Sequence, residues 1–171
     1  MNIRRVHNGK KGLSLIELLI YLAILSVLLV GVGNIFLTAM RIRAQQNAKF
    51  VVNENARIML GRIRDSILDA TAASTAGICP ENILNLTIGG DTMSFQIVNG
   101  VMQITEGAAP AQDITSSKVL VSASGSCLFT KTQNLVPAKP TIQIHTRITY
   151  NTPTNPLTYI SQDYDLTVSL R

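Results

Sequence analysis
Few residues in this chain could do chemistry. It has two histidines: His7 stands in a basic leader, and His145 falls on the polar side of an alternating run, where a solvated surface residue is expected. A His-based triad or a multi-histidine metal site therefore has almost no raw material. Asp163 and Asp165 are two apart on a predicted strand and so share a face. They could hold a cation with loop carbonyls, but two carboxylates are few for calcium, and a solvated pair is the simpler expectation. No Gly-rich phosphate loop follows a strand, no Cys-x-x-Cys occurs, and no serine or threonine has a recognisable base beside it. The chain reads as a non-enzyme that needs no cofactor and no metal.

One acid stands out by its place. Residues 10–17 read KKGLSLIE, and beyond Glu17 no charged residue appears until Arg41. Roughly 20 apolar residues at 1.5 Å each span a hydrocarbon core, and Leu18 to Met40 is long enough. A carboxylate at the edge of such a span costs roughly 3 kcal/mol or more when unpaired, so Glu17 needs a partner. Arg4, Arg5, Lys10 and Lys11 precede the span and no acid accompanies them. That bias predicts a cytoplasmic N-terminus with the rest of the chain outside. Without those four residues the excess of 15 Lys+Arg over 10 Asp+Glu all but disappears. The basic balance is a property of the leader and does not signal nucleic-acid binding.

The elements that position these residues follow from periodicity. From Arg41 to Ala72 there is no proline, and Ala56, Met59 or Leu60, Ile63 and Ile67 recur at steps of three and four. One helix is predicted from Leu13 to about Ala72, its first half in lipid and its second half amphipathic. Gly31, Gly33 and Gly61 each weaken it by about 1 kcal/mol relative to alanine; the pair at 31 and 33 marks either a bend or close helix packing. After Ala72 the stretch ASTAGICPEN reads as a loop. Then Leu84, Leu86 and Ile88; Met93, Phe95 and Ile97; and Met102 and Ile104 alternate, with Asn99-Gly100 predicting a hairpin turn. TIQIHTRITY and YDLTVSL, joined through NTPTNP, form a second antiparallel pair. The predicted fold is α+β: a long N-terminal helix whose second half carries a small antiparallel head of five or six strands in one sheet. Cys79 and Cys127 lie in that head, either as one disulfide closing a long loop outside the cytoplasm or as two separate buried thiols.

Lys10, Lys11 and Gly12, followed by LSLIELLIYLAILSVLLVGVG, resemble the leader and N-terminal helix of type IV prepilins and type II secretion pseudopilins. The resemblance covers about the first 35 residues: a basic leader ending in glycine, an apolar residue next, a glutamate fifth after the glycine, then the span. It implies that prepilin peptidase cuts between Gly12 and Leu13 and methylates the new amine of Leu13, with Leu standing where Phe or Met is usual. It also implies a division into a leader (1–12), a membrane and assembly half-helix (13–40), an amphipathic half-helix (41–72) and a β-sheet head (73–171) in a pilin-like lollipop. The hairpin TMSFQIVNGVMQIT and the tail YDLTVSLR resemble minor pilins of the J or PilW type, which cap or prime filaments.

The expectation is a filament subunit, single-pass in the cytoplasmic (inner) membrane before assembly, with other pilins or pseudopilins as partners. On this reading the Leu13 amine and Glu17 form the assembly contact. Two alternatives stand beside it. A solitary membrane-tethered binding domain would ignore other pilins. A DNA receptor would use Arg41, Arg43, Lys49, Arg57, Arg62 and Arg64, but these spread around the helix among Glu54, Asp65 and Asp69.

Overall fold
The computed structural model describes residues 14–135, 139–152 and 158–171. The leader with His7, the Gly12–Leu13 bond and part of the NTPTNP connection lie outside them. Among the described residues one helix, α1, runs from Leu15 to Asp69, and nine strands follow it. The described residues up to Ile42 form one compact unit and Arg43–Arg171 the other.

In the first unit every described side chain of α1 is exposed. This is the arrangement of a helix whose apolar surface is meant for lipid or another chain. Two of its hydroxyls are satisfied locally: Ser26 Oγ donates to the Ala23 carbonyl at 2.8 Å and Thr38 Oγ1 to that of Asn34 at 2.8 Å. Hydroxyls closed onto their own helix backbone can enter hydrocarbon without orphaned donors.

The second unit is built on the amphipathic part of α1. Ala48, Val52, Asn55, Ala56, Met59, Ile63, Ser66 and Ile67 are buried, at steps of three and four that draw one stripe. The expected stripe of Ala56, Met59, Ile63 and Ile67 is the one observed, and each of the last three is fully buried. Asn55 sits in the stripe without penalty because its amide donates to the Val51 carbonyl at 2.8 Å and accepts from the Ser116 N–H at 2.8 Å.

The strands form two antiparallel sheets rather than the single sheet expected. The first contains β1 (Ala72–Ala76), β2 (Ile83–Ile88), β3 (Asp91–Val98), β4 (Val101–Glu106) and β5 (Gln112–Asp113), paired in sequence order. The second contains β6 (Val119–Ala123), β7 (Phe129–Thr132), β8 (Thr141–Tyr150) and β9 (Ser161–Ser169). Here β8 is central: β6 pairs with its C-terminal part, β7 with its N-terminal part, and β9 runs along the other side. The helix also ends at Asp69, short of Ala72, and the stretch expected to be a loop begins with β1. That strand is AASTA, too small-sided to alternate visibly, and it is held by its ladder to β2.

Both predicted hairpins form. Val98 pairs with Val101, leaving Asn99 (φ 53°) and Gly100 (φ 77°) as a two-residue turn with both residues left-handed. This is the conformation that Asn-Gly favours. Glycine suits position 100 because of its left-handed φ, and a Cβ there would come 2.8 Å from Leu120 Cδ2; the Gly100 carbonyl accepts from the Val121 N–H at 2.7 Å. The turn thus joins the two sheets.

The core gathers both sheets and the helix stripe. Leu84, Leu86, Phe95, Met102, Leu128, Phe129, Ile142, Ile144 and Ile148 are fully buried together with Met59, Ile63 and Ile67. Each such side chain contributes on the order of 1.5–3 kcal/mol relative to exposure. Tyr164 adds a polar tie from β9 to α1, its hydroxyl 2.6 Å from Asn53 Oδ1 and 2.7 Å from Gln162 Oε1. Burial pushes this phenol's pKa up.

Cys79 and Cys127 are joined in a disulfide with a Cα–Cα distance of 4.8 Å and a sequence separation of 48. The same region is zipped by hydrogen bonds. Buried Asn82 donates to the Phe129 carbonyl at 2.7 Å and accepts from its N–H at 2.9 Å, and Leu128 N–H donates to the Pro80 carbonyl at 2.7 Å. Closing a loop of this length stabilises by about 4 kcal/mol in the chain-entropy view.

Candidate processing and assembly site
Gly12 and Leu13 lie outside the described residues, and the structure begins one residue beyond them. The Ser14 carbonyl accepts from the N–H groups of Glu17 at 3.0 Å and Leu18 at 3.2 Å. Ser14 therefore occupies the N-cap position and Glu17 the third helical position. Ser-x-x-Glu at that spacing is the capping-box pattern, a signal present in the sequence but not used in the reading above. Glu17 is exposed and is the acidic residue of the first turn, where the helix dipole favours a carboxylate. In sequence it stands four residues after Leu13.

Beyond Glu17, α1 contains a window long and apolar enough to cross a membrane, none of it buried within the molecule. Charge is confined to the two ends of that window. The helix therefore offers an apolar shaft with a single carboxylate at its start, suited to anchoring and to lateral contact with similar helices.

Asp163 and Asp165 do share a face, but each has a side-chain partner across the β8–β9 ladder, Arg147 and His145. Arg147 Nε donates to Asp163 Oδ1 at 2.6 Å and Nη2 to Oδ2 at 2.9 Å. The hydrogen bonds from Arg147, aided by its charge, hold the Asp163 carboxyl below the usual carboxylate range, and the same contacts raise Arg147. His145 Nδ1 lies 2.7 Å from Asp165 Oδ1. His145 is on the surface as expected, yet paired rather than free. Both pairs follow from the strand register, which sets His145 opposite Asp165 and Arg147 opposite Asp163. Among the described residues no group of three or more His, Cys, Asp or Glu could hold a metal ion.

The basic residues of α1 do not merge into one stripe. Arg62 is drawn to Glu106 at 2.9 Å, while Glu54 and Asp65 line the same surface as Arg57 and Arg62. A mixed face of this kind lacks the continuous positive track that phosphate backbones select.

Comparison with known proteins gives a match where this geometry is most particular. Residues 7–33 match the family described as the prokaryotic N-terminal methylation motif. No curated protein and no solved structure matches the chain. That motif runs into the apolar start of α1, and antiparallel β-sheets follow the helix, which supports the resemblance to type IV prepilins and pseudopilins.

Proposed function
We propose that this protein is a structural subunit of a type IV pilus or type II secretion pseudopilus. Prepilin peptidase cuts between Gly12 and Leu13 and methylates the Leu13 amine. The precursor spans the cytoplasmic membrane once, N-terminus inside and head outside, and the mature chain leaves the lipid to pack among other pilins. The observation that carries this reading is the methylation motif at residues 7–33, with Glu17 in the first turn of an apolar helix.

The mechanism is physical. Apolar helices exchange lipid contacts for contacts with neighbouring helices, so assembly exposes no new apolar surface. Cleavage creates a positive amine about one helical turn before Glu17. Within one chain the two charges offset each other. Between chains they set the axial register, because an incoming subunit neutralises both only at the correct offset. The disulfide at Cys79–Cys127 suits an oxidising, extracytoplasmic head. The test is to shear surface filaments from the native host and probe for this chain. It is expected in the filament fraction, and to vanish from it when the prepilin peptidase is inactivated. Its absence from filaments of peptidase-competent cells would overturn the reading.

A further inference from the structure
The second sheet ends on a long open edge. β9 pairs with β8, and among the described residues no strand pairs with its other side. Two hydrogen bonds that flank the ladder fix which backbone groups face outward: Tyr150 N–H donates to the Ile160 carbonyl at 2.8 Å, and Leu170 N–H to the Pro140 carbonyl at 3.1 Å. Hydrogen-bonded pairs alternate with non-bonded ones in an antiparallel ladder. Gln162, Tyr164, Leu166 and Val168 therefore turn their N–H and C=O groups to β8, while Ser161, Asp163, Asp165, Thr167 and Ser169 turn theirs away.

Long edges are ordinarily guarded by proline, lysine, a bulge or a covering segment. β9 (SQDYDLTVS) has neither proline nor lysine, and its register with β8 runs unbroken from Ser161 to Ser169. Its two acids are engaged over β8, Asp163 by Arg147 and Asp165 by His145. The apolar side of the edge is unfinished: Tyr164 and Leu166 are only partly buried, whereas Ile144 and Ile148 on β8 are fully buried.

We propose that the outer edge of β9 takes up an extended segment of another protein as an added strand. Its backbone meets the outward N–H and C=O groups. Its alternate residues differ in kind: apolar ones cover Tyr164 and Leu166, and a basic one on the solvent side meets Asp163 or Asp165, the only charged residues of β9. A carboxylate has lone pairs enough to accept such a donor beside the partner it already holds. β8 displays the pattern that β9 reads, with Ile142, Ile144 and Ile148 buried and Arg147 outward. The same acids disfavour a second copy of β9, because a full-length antiparallel overlap sets Asp165 against Asp165. The added strand docks on the head whether or not the chain enters filaments.

The test uses the detergent-solubilised full chain and, as probe, a fluorescent peptide of residues 141–150, TIQIHTRITY. Set on the outer edge in the register of β8, the peptide points the N–H groups of its Gln143 and Arg147 at β9 and those of its Ile144 and Ile148 away. The unmodified peptide is expected to bind, read as fluorescence anisotropy. N-methylation at Gln143 and Arg147 should weaken binding about tenfold or more, since two backbone hydrogen bonds are lost. N-methylation at Ile144 and Ile148 should leave it nearly unchanged, and Arg147→Glu in the peptide should weaken it. On the protein, Thr167→Pro takes away one outward N–H and Asp165→Lys reverses one charge while keeping the strand whole; each should weaken the unmodified peptide. No binding of the unmodified peptide, equal loss from the two methylation patterns, or unchanged binding to both protein variants would overturn the added strand on β9. Equal binding of the Arg147→Glu peptide would overturn its basic residue, and a dimer of the chain that the peptide dissolves would put a second copy in the partner's place.

Discussion
Arg147 grips Asp163 with two nitrogens across β8 and β9, Nε at 2.6 Å from Oδ1 and Nη2 at 2.9 Å from Oδ2. The pair lies on the solvent face of the sheet, half exposed on both sides, so screening keeps its contribution modest. Its pH behaviour is nonetheless defined. Asp163 has a lowered folded-state pKa, so its stabilisation is fully present above the unfolded carboxylate value of about 3.9. It is lost as the pH falls through the lower folded value. Asp163→Asn should therefore lower stability modestly at neutral pH and flatten the acid limb of a denaturation curve of the detergent-solubilised chain by the same amount, the two curves converging in strong acid.

The two faces of α1 should respond differently to truncation. Ile63 is fully buried and Ile58 is mostly exposed. Ile63→Ala should destabilise the head by about 2–5 kcal/mol. Ile58→Ala should stay within about 0.5 kcal/mol in denaturant titration.

Gly100→Ala combines a left-handed φ of 77° with a clash against Leu120. A non-glycine residue in that conformation costs roughly 1–2 kcal/mol before any clash is counted. Asn99→Gly, which keeps the turn, should be close to neutral. Thermal unfolding of the two variants side by side checks the contrast.

Replacing Cys79 and Cys127 together by serine should lower stability by about 2–4 kcal/mol. The hydrogen bonds of Asn82 to Phe129 would still mark the native loop, so the reduced chain should fold but melt earlier. The matching measurement is unfolding with and without reductant.

Glu17→Ala removes the only charge in the first turn of α1. Insertion and cleavage should proceed, since the span and the leader are unchanged, while incorporation into filaments should drop severely. Quantifying the chain in membrane and sheared fractions separates these steps, and normal incorporation would remove Glu17 from the assembly contact.

Much of this was legible in the sequence wherever periodicity was strong. Ala56, Met59, Ile63 and Ile67 drew the buried stripe of α1, Leu84 and Leu86 the inner face of β2, and Asn99-Gly100 the hairpin. The second sheet was only half legible. Long β8 and β9 alternate over many residues, but β6 (VLVSA) and β7 (FTKT) are short and are defined by pairing with β8. Small-sided β1 was hidden for the same reason: its ladder, not its composition, makes it a strand. The partners of Asp163 and Asp165 needed the register, which the connection after Tyr150 is too long to dictate. The Ser14–Glu17 cap, by contrast, was present in the residues themselves.

The central claim is that Gly12–Leu13 is cut and that the exposed amine is modified. Intact mass of the protein purified from its native host tests this most directly. A chain beginning at Leu13 and carrying one additional methyl group is the predicted result. A mature chain that still bears Met1 to Gly12 would contradict it.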